Sequence, residues 1–207
     1  MMTYEAQLSC DINWAFEEAD RYFAGKSCVH QTMRQVTSRL DDSGIDYAIV
    51  GAMAMFFHGY RRFTEDVDIV LTLAGLEQLD RQLLGDGYVR PRECQRSIRE
   101  IETGVAIHIL IAGEYPGDRK PAPIRIPQPR DVVELLDGLR IMKLAPLLEL
   151  KMAAGRCGHL LRHRADAQEM IKVLDLPREW ASNLVPSFHG EYYELWKYAQ
   201  IAKSDDY

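Results

Sequence analysis

The sequence predicts a mixed α/β (α+β) fold, a β-sheet core flanked by helices and followed by a helical C-terminal region. Three observations predict it. Residues 47–71, YAIVGAMAMFFHGYRRFTEDVDIVL, read as strand, helix and strand in succession. Two further apolar runs read as strands, Val105–Leu110 as a buried one and Leu139–Met142 as the last. Helical periodicity fills much of the chain before residue 44 and after residue 143. Residues 1–142 are accordingly expected to form the core with its N-terminal helices, and residues 143–207 a helical region packed on it.

Taken in order, Asp11 is placed to cap a first helix whose apolar side carries Trp14, Phe16, Ala19, Tyr22 and Phe23. Gly25-Lys26-Ser27 breaks it. A second helix places Val29, Met33, Val36 and Leu40 on one side and stops at Asp41-Asp42-Ser43-Gly44. Ala48-Ile49-Val50 is a short strand ending at Gly51, Ala52–Phe57 is helical, and Gly59 closes that helix. Asp66 and Asp68 then alternate with Val67 and Ile69. A strand repeats every two residues, so both carboxylates project from one face, about 7 Å apart along it. Aspartate is disfavoured in strands. Two of them running into Ile69-Val70-Leu71 call for a divalent cation between them; polar-out alternation at a sheet edge is the plain alternative. The helix starting at Gly51 offers free N–H groups at the same end, suited to a phosphate.

Leu73–Leu84 reads as a helix stopped by Gly85-Asp86-Gly87. Tyr88–Glu102 carries Arg90, Arg92, Arg96 and Arg99; a solvated hairpin or edge strand is expected, ahead of a contact with an anionic substrate. His108 lies within the strand Val105–Leu110. Residues 112–130 hold five of the nine prolines and read as a loop with an extended piece at Ile124–Ile126, either a rim or a connector. Asp131 is read as capping a short turn over Val132–Leu136. Leu144–Gly155 and Arg164–Leu174 are helices, with Pro146 tolerated in the first turn of the former. A closing helix spans about Glu191–Lys203, its aromatics serving packing, and residues 204–207 form a frayed tail.

The central stretch resembles the nucleotidyltransferase fold of the DNA polymerase β type. Within it, the stretch is similar to a small bacterial branch with a Gly-Gly-x-Ala, His-Gly, Arg-x-Thr-x-Asp-hydrophobic-Asp pattern. Many type IV toxin–antitoxin nucleotidyltransferases, the AbiEii-like proteins, lie near that branch. The pattern stands here as Gly51-Ala52-Met53-Ala54, His58-Gly59 and Arg62-Phe63-Thr64-Glu65-Asp66-Val67-Asp68. The resemblance implies Mg²⁺ (or Mn²⁺) held by Asp66 and Asp68, and a nucleoside triphosphate lying against Gly51, Ala52, Arg62 and Thr64. It implies transfer of a nucleotidyl group to an acceptor hydroxyl on RNA, protein or a small molecule. Lys151 and Ala154 match a Lys-x-x-Ala-x-x-x-Arg helix whose arginine position holds Gly158, with Arg156 two positions early. Asp166 and Glu169 match the acids of a later Lys-Asp-x-x-Asp helix, with Ala165 in place of lysine. Lys151 then meets the nucleotide phosphates and Asp166 orients it. An antitoxin-like partner is implied by the relatives alone.

Two departures weaken the pattern. His108 stands where the family carries a third carboxylate. Three roles are open to it: a core histidine, first among them, a ligand for a transition metal, or a general base. Glu102 and Glu114 flank its strand and are candidates for the missing acid. Ala52 replaces a glycine and adds a methyl near the expected phosphate. The alternative function is therefore a catalytically degenerate protein of this fold that binds a nucleotide or a partner. A metal-dependent hydrolase on another α/β fold would need a richer His/Asp cluster.

Composition sets the remaining bounds. At 207 residues and 47% hydrophobic content the chain can bury one sizeable core. A net charge of −6 with no basic tract does not demand a broad nucleic-acid surface. Cys10, Cys28, Cys94 and Cys157 are widely spaced and read as free thiols, with a disulfide frame as the alternative. With no basic, apolar leader and no stretch of membrane-spanning length, a cytoplasmic protein is expected.

Overall fold

The computed structural model describes residues 2–204, apart from 93, 119, 158 and 159. Gly158 and His159 of the pattern above, and residues 205–207 of the expected tail, therefore lie outside the described residues. Three helices open the chain: α1 (Tyr4–Cys10), α2 (Ile12–Phe23) and α3 (Cys28–Asp42). Asp11 caps α2 by accepting from the Asn13 and Trp14 amides at 3.1 Å each, and Ser27 caps α3. Such caps stabilise a helix by about 1 kcal/mol each. Helix α1 was not anticipated, because YEAQLSC carries no clear apolar stripe. It is started by the Thr3 hydroxyl, which accepts from the Ala6 amide. It is held by Tyr4, fully buried, whose hydroxyl donates to Glu18.

The core follows as β1 (Tyr47–Val50), α4 (Gly51–Phe57), β2 (Asp66–Leu71), α5 (Leu73–Leu83), β3 (Tyr88–Val89), β4 (Ser97–Glu100) and β5 (Ala106–Ile111). Next come α6 (Pro129–Val132), β6 (Val133–Leu136) and β7 (Leu139–Met142). The strands form one mixed seven-stranded sheet in the order β3-β4-β5-β2-β1-β7-β6. Its centre positions the site. β1 runs antiparallel to β2 with Val50 opposite Asp68, and β2 runs parallel to β5 with Asp68 opposite His108.

Two expectations for the periphery are corrected. The segment Val132–Leu136 is not a turn. Its last four residues form the edge strand β6, joined to β7 by Asp137-Gly138. Both turn residues have positive φ, 51° and 77°, as a tight type I′ hairpin requires. Asp131 lies inside α6, which starts on Pro129. Arg90, Arg96 and Arg99 are not merely solvated. They pair with Asp80, Glu114 and Glu5 and tie β3 and β4 to their neighbours.

The chain ends in α7 (Leu144–Gly155), α8 (Leu161–Val173), 3-10 turns at Arg178–Asn183 and Pro186–Phe188, and α9 (His189–Ser204). One continuous hydrophobic core joins the sheet to these helices, from Ile49 and Val67 through Leu148 to Met170, Phe188 and Tyr192. All four cysteines are free. Among the described residues no helix is long and apolar enough to cross a membrane.

Candidate active site

The site begins with strand chemistry. Asp66 and Asp68 share one face of β2, and the parallel register sets His108 beside them on β5. Nδ1 of His108 lies 3.3 Å from an Asp66 oxygen and 3.6 Å from an Asp68 oxygen. One ligand atom from each residue can be chosen so that all three lie within 4.8 Å of one another. His108 is therefore not a core histidine; its side chain is 46% exposed. The two carboxylates hydrogen-bonded to it, Asp66 first, push its pKa up to about 10 against the opposing effect of burial. Asp66 moves the other way. Burial would raise its carboxyl, but the donors from His108 and Thr64 bring it below the ordinary carboxylate range. Two oxygens and one imidazole nitrogen at these separations fit a divalent cation.

Gly51 explains how close the loop comes. Its φ is +64°, and a Cβ there would sit 1.9 Å from Asp68 Oδ2. Only glycine serves both the backbone and the carboxylate. Ala52 is buried, its methyl in the hydrophobic core. Thr64, 7% exposed, donates from its hydroxyl to Asp66 Oδ1 at 2.6 Å. It thus orients a carboxylate. Arg62 is likewise engaged within the protein. Nε and Nη2 donate to the two oxygens of Asp166 at 2.7 and 2.9 Å. Lys151 Nζ donates to the same carboxylate at 2.8 Å. Burial would raise the Asp166 carboxyl, yet these two cations hold it below the usual range. Two cations on one buried carboxylate leave a net positive charge. Arg61 is exposed and stacks its guanidinium over Phe56.

A cavity of about 310 Å³ joins the two clusters. Gly51, Asp68, Lys151 and His163 stand on its polar side, and Leu110 and Leu147 are among its apolar walls. Pro116 and Gly117 line it too, so the proline-rich loop is a rim of the site. His163, in the first turn of α8, carries no motif in the sequence. Its Nδ1 is buried without a partner, and burial together with the Lys151 charge lowers its pKa. A further cavity of about 250 Å³ is lined by His108 together with Arg96, Glu114 and Tyr115. Glu114 is paired with Arg96 and Glu102 is exposed, so neither completes the carboxylate cluster. His58 of the His-Gly pair has a structural place, donating from Nε2 to the Met142 carbonyl at 2.8 Å.

Comparison with known proteins gives the class. No protein-family model matches the chain, and no curated protein matches it. Solved structures do. ANT(2'')-Ia in complex with adenylyl-2''-tobramycin aligns with a TM-score of 0.51 at 12% identity, over 84% of this chain and 97% of that one. The solution structure of the antibiotic-resistance factor ANT(2'')-Ia aligns with a TM-score of 0.50 at 12% identity, over 83% and 93%. A Thermotoga maritima protein provisionally assigned as a nucleotidyltransferase aligns at 0.47 and 14% identity, over 67% and 92%. The chain has the nucleotidyltransferase fold.

Proposed function

We propose that this protein is a metal-dependent nucleotidyltransferase that moves a nucleoside monophosphate from a nucleoside triphosphate to an acceptor hydroxyl. One observation carries the reading: Asp66, Asp68 and His108 converge, and Asp68 lines a cavity that buried Lys151 also lines. Asp66 and Asp68 would hold the cation, with His108 as the third donor. We assign His108 to that role rather than to general-base catalysis, because Nδ1 is turned onto both carboxylates. A bound cation would supply charge neutralisation at the phosphates and the leaving pyrophosphate.

The protein's own residues do the rest. Gly51 admits the triphosphate close to the backbone, and Lys151 meets its negative charge. Asp166 and Arg62 hold Lys151 in place. Thr64 fixes the rotamer of Asp66. The acceptor hydroxyl attacks the α-phosphorus in line, its proton passes to solvent, and pyrophosphate leaves with the bridging oxygen. Catalysis on this scheme is positioning and charge stabilisation. Residues 1–142 act as the core and residues 143–207 as the helical region closing the site. The Asp-x-Asp, Lys151 and Asp166 matches support placement near the AbiEii-like branch, with an antitoxin-like partner. The acceptor is RNA, a protein or a small molecule. The adenylylated product bound by the fold neighbour lends weight to the small molecule.

The second reading is a degenerate member that binds nucleotide or a partner without turnover, favoured by His108 in the third acidic position. Calorimetric titration of the four ribonucleoside triphosphates, with divalent metal, separates the readings. Metal-dependent binding by the wild type, lost in Asp66→Ala/Asp68→Ala, is expected. No binding of any triphosphate by folded wild type overturns the enzyme reading.

A further inference from the structure

The donor set at the sheet face contains one nitrogen, and that nitrogen decides which ion it prefers. We infer that Asp66, Asp68 and His108 form a site selective for a divalent transition-metal ion over Mg²⁺. The inference deepens the proposed function and rests on it only for what the ion does; the selectivity itself is a property of the donor set and needs no nucleotide.

Geometry supports it first. His108 is set by strand register, opposite Asp68 in a parallel pair, so its position is as fixed as the sheet. Nδ1 stands 3.3 and 3.6 Å from oxygens of the two carboxylates. Ligands on one tetrahedral ion with bonds of about 2.0–2.2 Å lie roughly 3.3–3.6 Å apart. His108 already stands at that separation from each carboxylate, and the three ligand atoms lie within 4.8 Å of one another. Gly51 keeps the flank of Asp68 open, since any Cβ there would overlap its carboxylate.

Donor chemistry supports it second. Mg²⁺ is bound by oxygen ligands and gives up water reluctantly. Imidazole suits Zn²⁺, Cu²⁺, Fe²⁺ and Ni²⁺, and affinity rises along the first-row series towards copper. Charge adds a third argument. Two carboxylates balance one divalent ion, and a neutral imidazole ligand adds no charge for a second. Exchanging His108 for aspartate would give three carboxylates on the same strand positions, a set that favours Mg²⁺.

The test is metal binding without nucleotide. Metal-free full-length protein is titrated calorimetrically with Mg²⁺, Mn²⁺, Co²⁺ and Zn²⁺, and the Co²⁺ complex is followed by visible absorption. Wild type should bind Co²⁺ and Zn²⁺ tighter than Mg²⁺ by on the order of 100-fold. His108→Asp should narrow that gap by on the order of tenfold or more and change the Co²⁺ spectrum. His108→Gln, which removes the ring nitrogen without adding a carboxylate, provides the same comparison should the aspartate variant lose its circular-dichroism signal. Equal affinity of wild type for Mg²⁺ and Co²⁺ overturns the inference. So does Co²⁺ binding unchanged in the histidine variants or in Asp66→Asn/Asp68→Asn. Selective metal binding with no triphosphate binding would keep this inference and remove the enzyme reading. Triphosphate binding with no transition-metal preference would do the reverse.

Discussion

At Asp166 one buried carboxylate, 3% exposed, holds a guanidinium and an ammonium together. Removing it strands both cations out of water. Asp166→Ala is therefore expected to lower unfolding free energy by about 3–5 kcal/mol, read from urea unfolding. Asp66 is half-buried at the sheet mouth, so Asp66→Asn should leave stability nearly intact while ending metal-dependent triphosphate binding. The contrast separates a structural carboxylate from a liganding one. His30 gives a pH signature. It is 2% exposed, bonded to Ser27, and packed edge-on against Tyr22 and Phe56, each ring 5.0 Å away. Burial pushes its pKa down to about 4, from an ordinary 6.5. Between those values the unfolded chain holds a proton that the folded protein refuses, so stability falls as pH drops through the window. The loss reaches roughly 3 kcal/mol and stops below about pH 4, where both states are charged. His30→Leu should abolish that slope in denaturation curves taken across the window.

At the scale of elements, α7 and α8 meet where Gly155 passes Arg164. A Cβ on Gly155 would lie 2.7 Å from the Arg164 backbone nitrogen. Gly155→Ala should force the helices apart, costing about 1–3 kcal/mol and moving Asp166 off Lys151. Thermal melting and triphosphate affinity should fall together. The elements differ in how far they could be read from sequence. The β1–α4–β2 unit was legible because an apolar run, a glycine and alternating aspartates fall within a few residues of one another. The hairpin β6–β7 was missed although Asp137-Gly138 between apolar runs is a direct signal for it. The Asp-Asp half of the site is a local pattern and was visible. The role of Arg62 was not, because its partner lies 104 residues away and only tertiary packing brings it near. The family resemblance set His108 at the third-acid position, but the choice between a core and a site histidine needed the structure. Periodicity says which residues alternate along a strand, and only the register against β2 says which face they share.

At the scale of the molecule, the helices after residue 142 complete the core as well as the site. Met170, Phe188 and Tyr192 are fully buried within the same core as the central strands. A fragment ending at Met142 is expected to lose cooperative urea unfolding, because those contacts leave an apolar face open to water. Far-UV circular dichroism against denaturant would show a broad, early transition in place of a single sharp one.

The Arg62–Asp166–Lys151 cluster has a consequence for how the protein is made. A nascent chain that has just released β5 already carries both sheet carboxylates and His108. It still lacks the carboxylate that sequesters Arg62 and steadies Lys151, which arrives with α8. The order of synthesis thus delivers the Asp66–Asp68–His108 face early and the clamp late, so the two halves of the candidate site can come together only after α8 has followed the sheet out of the ribosome.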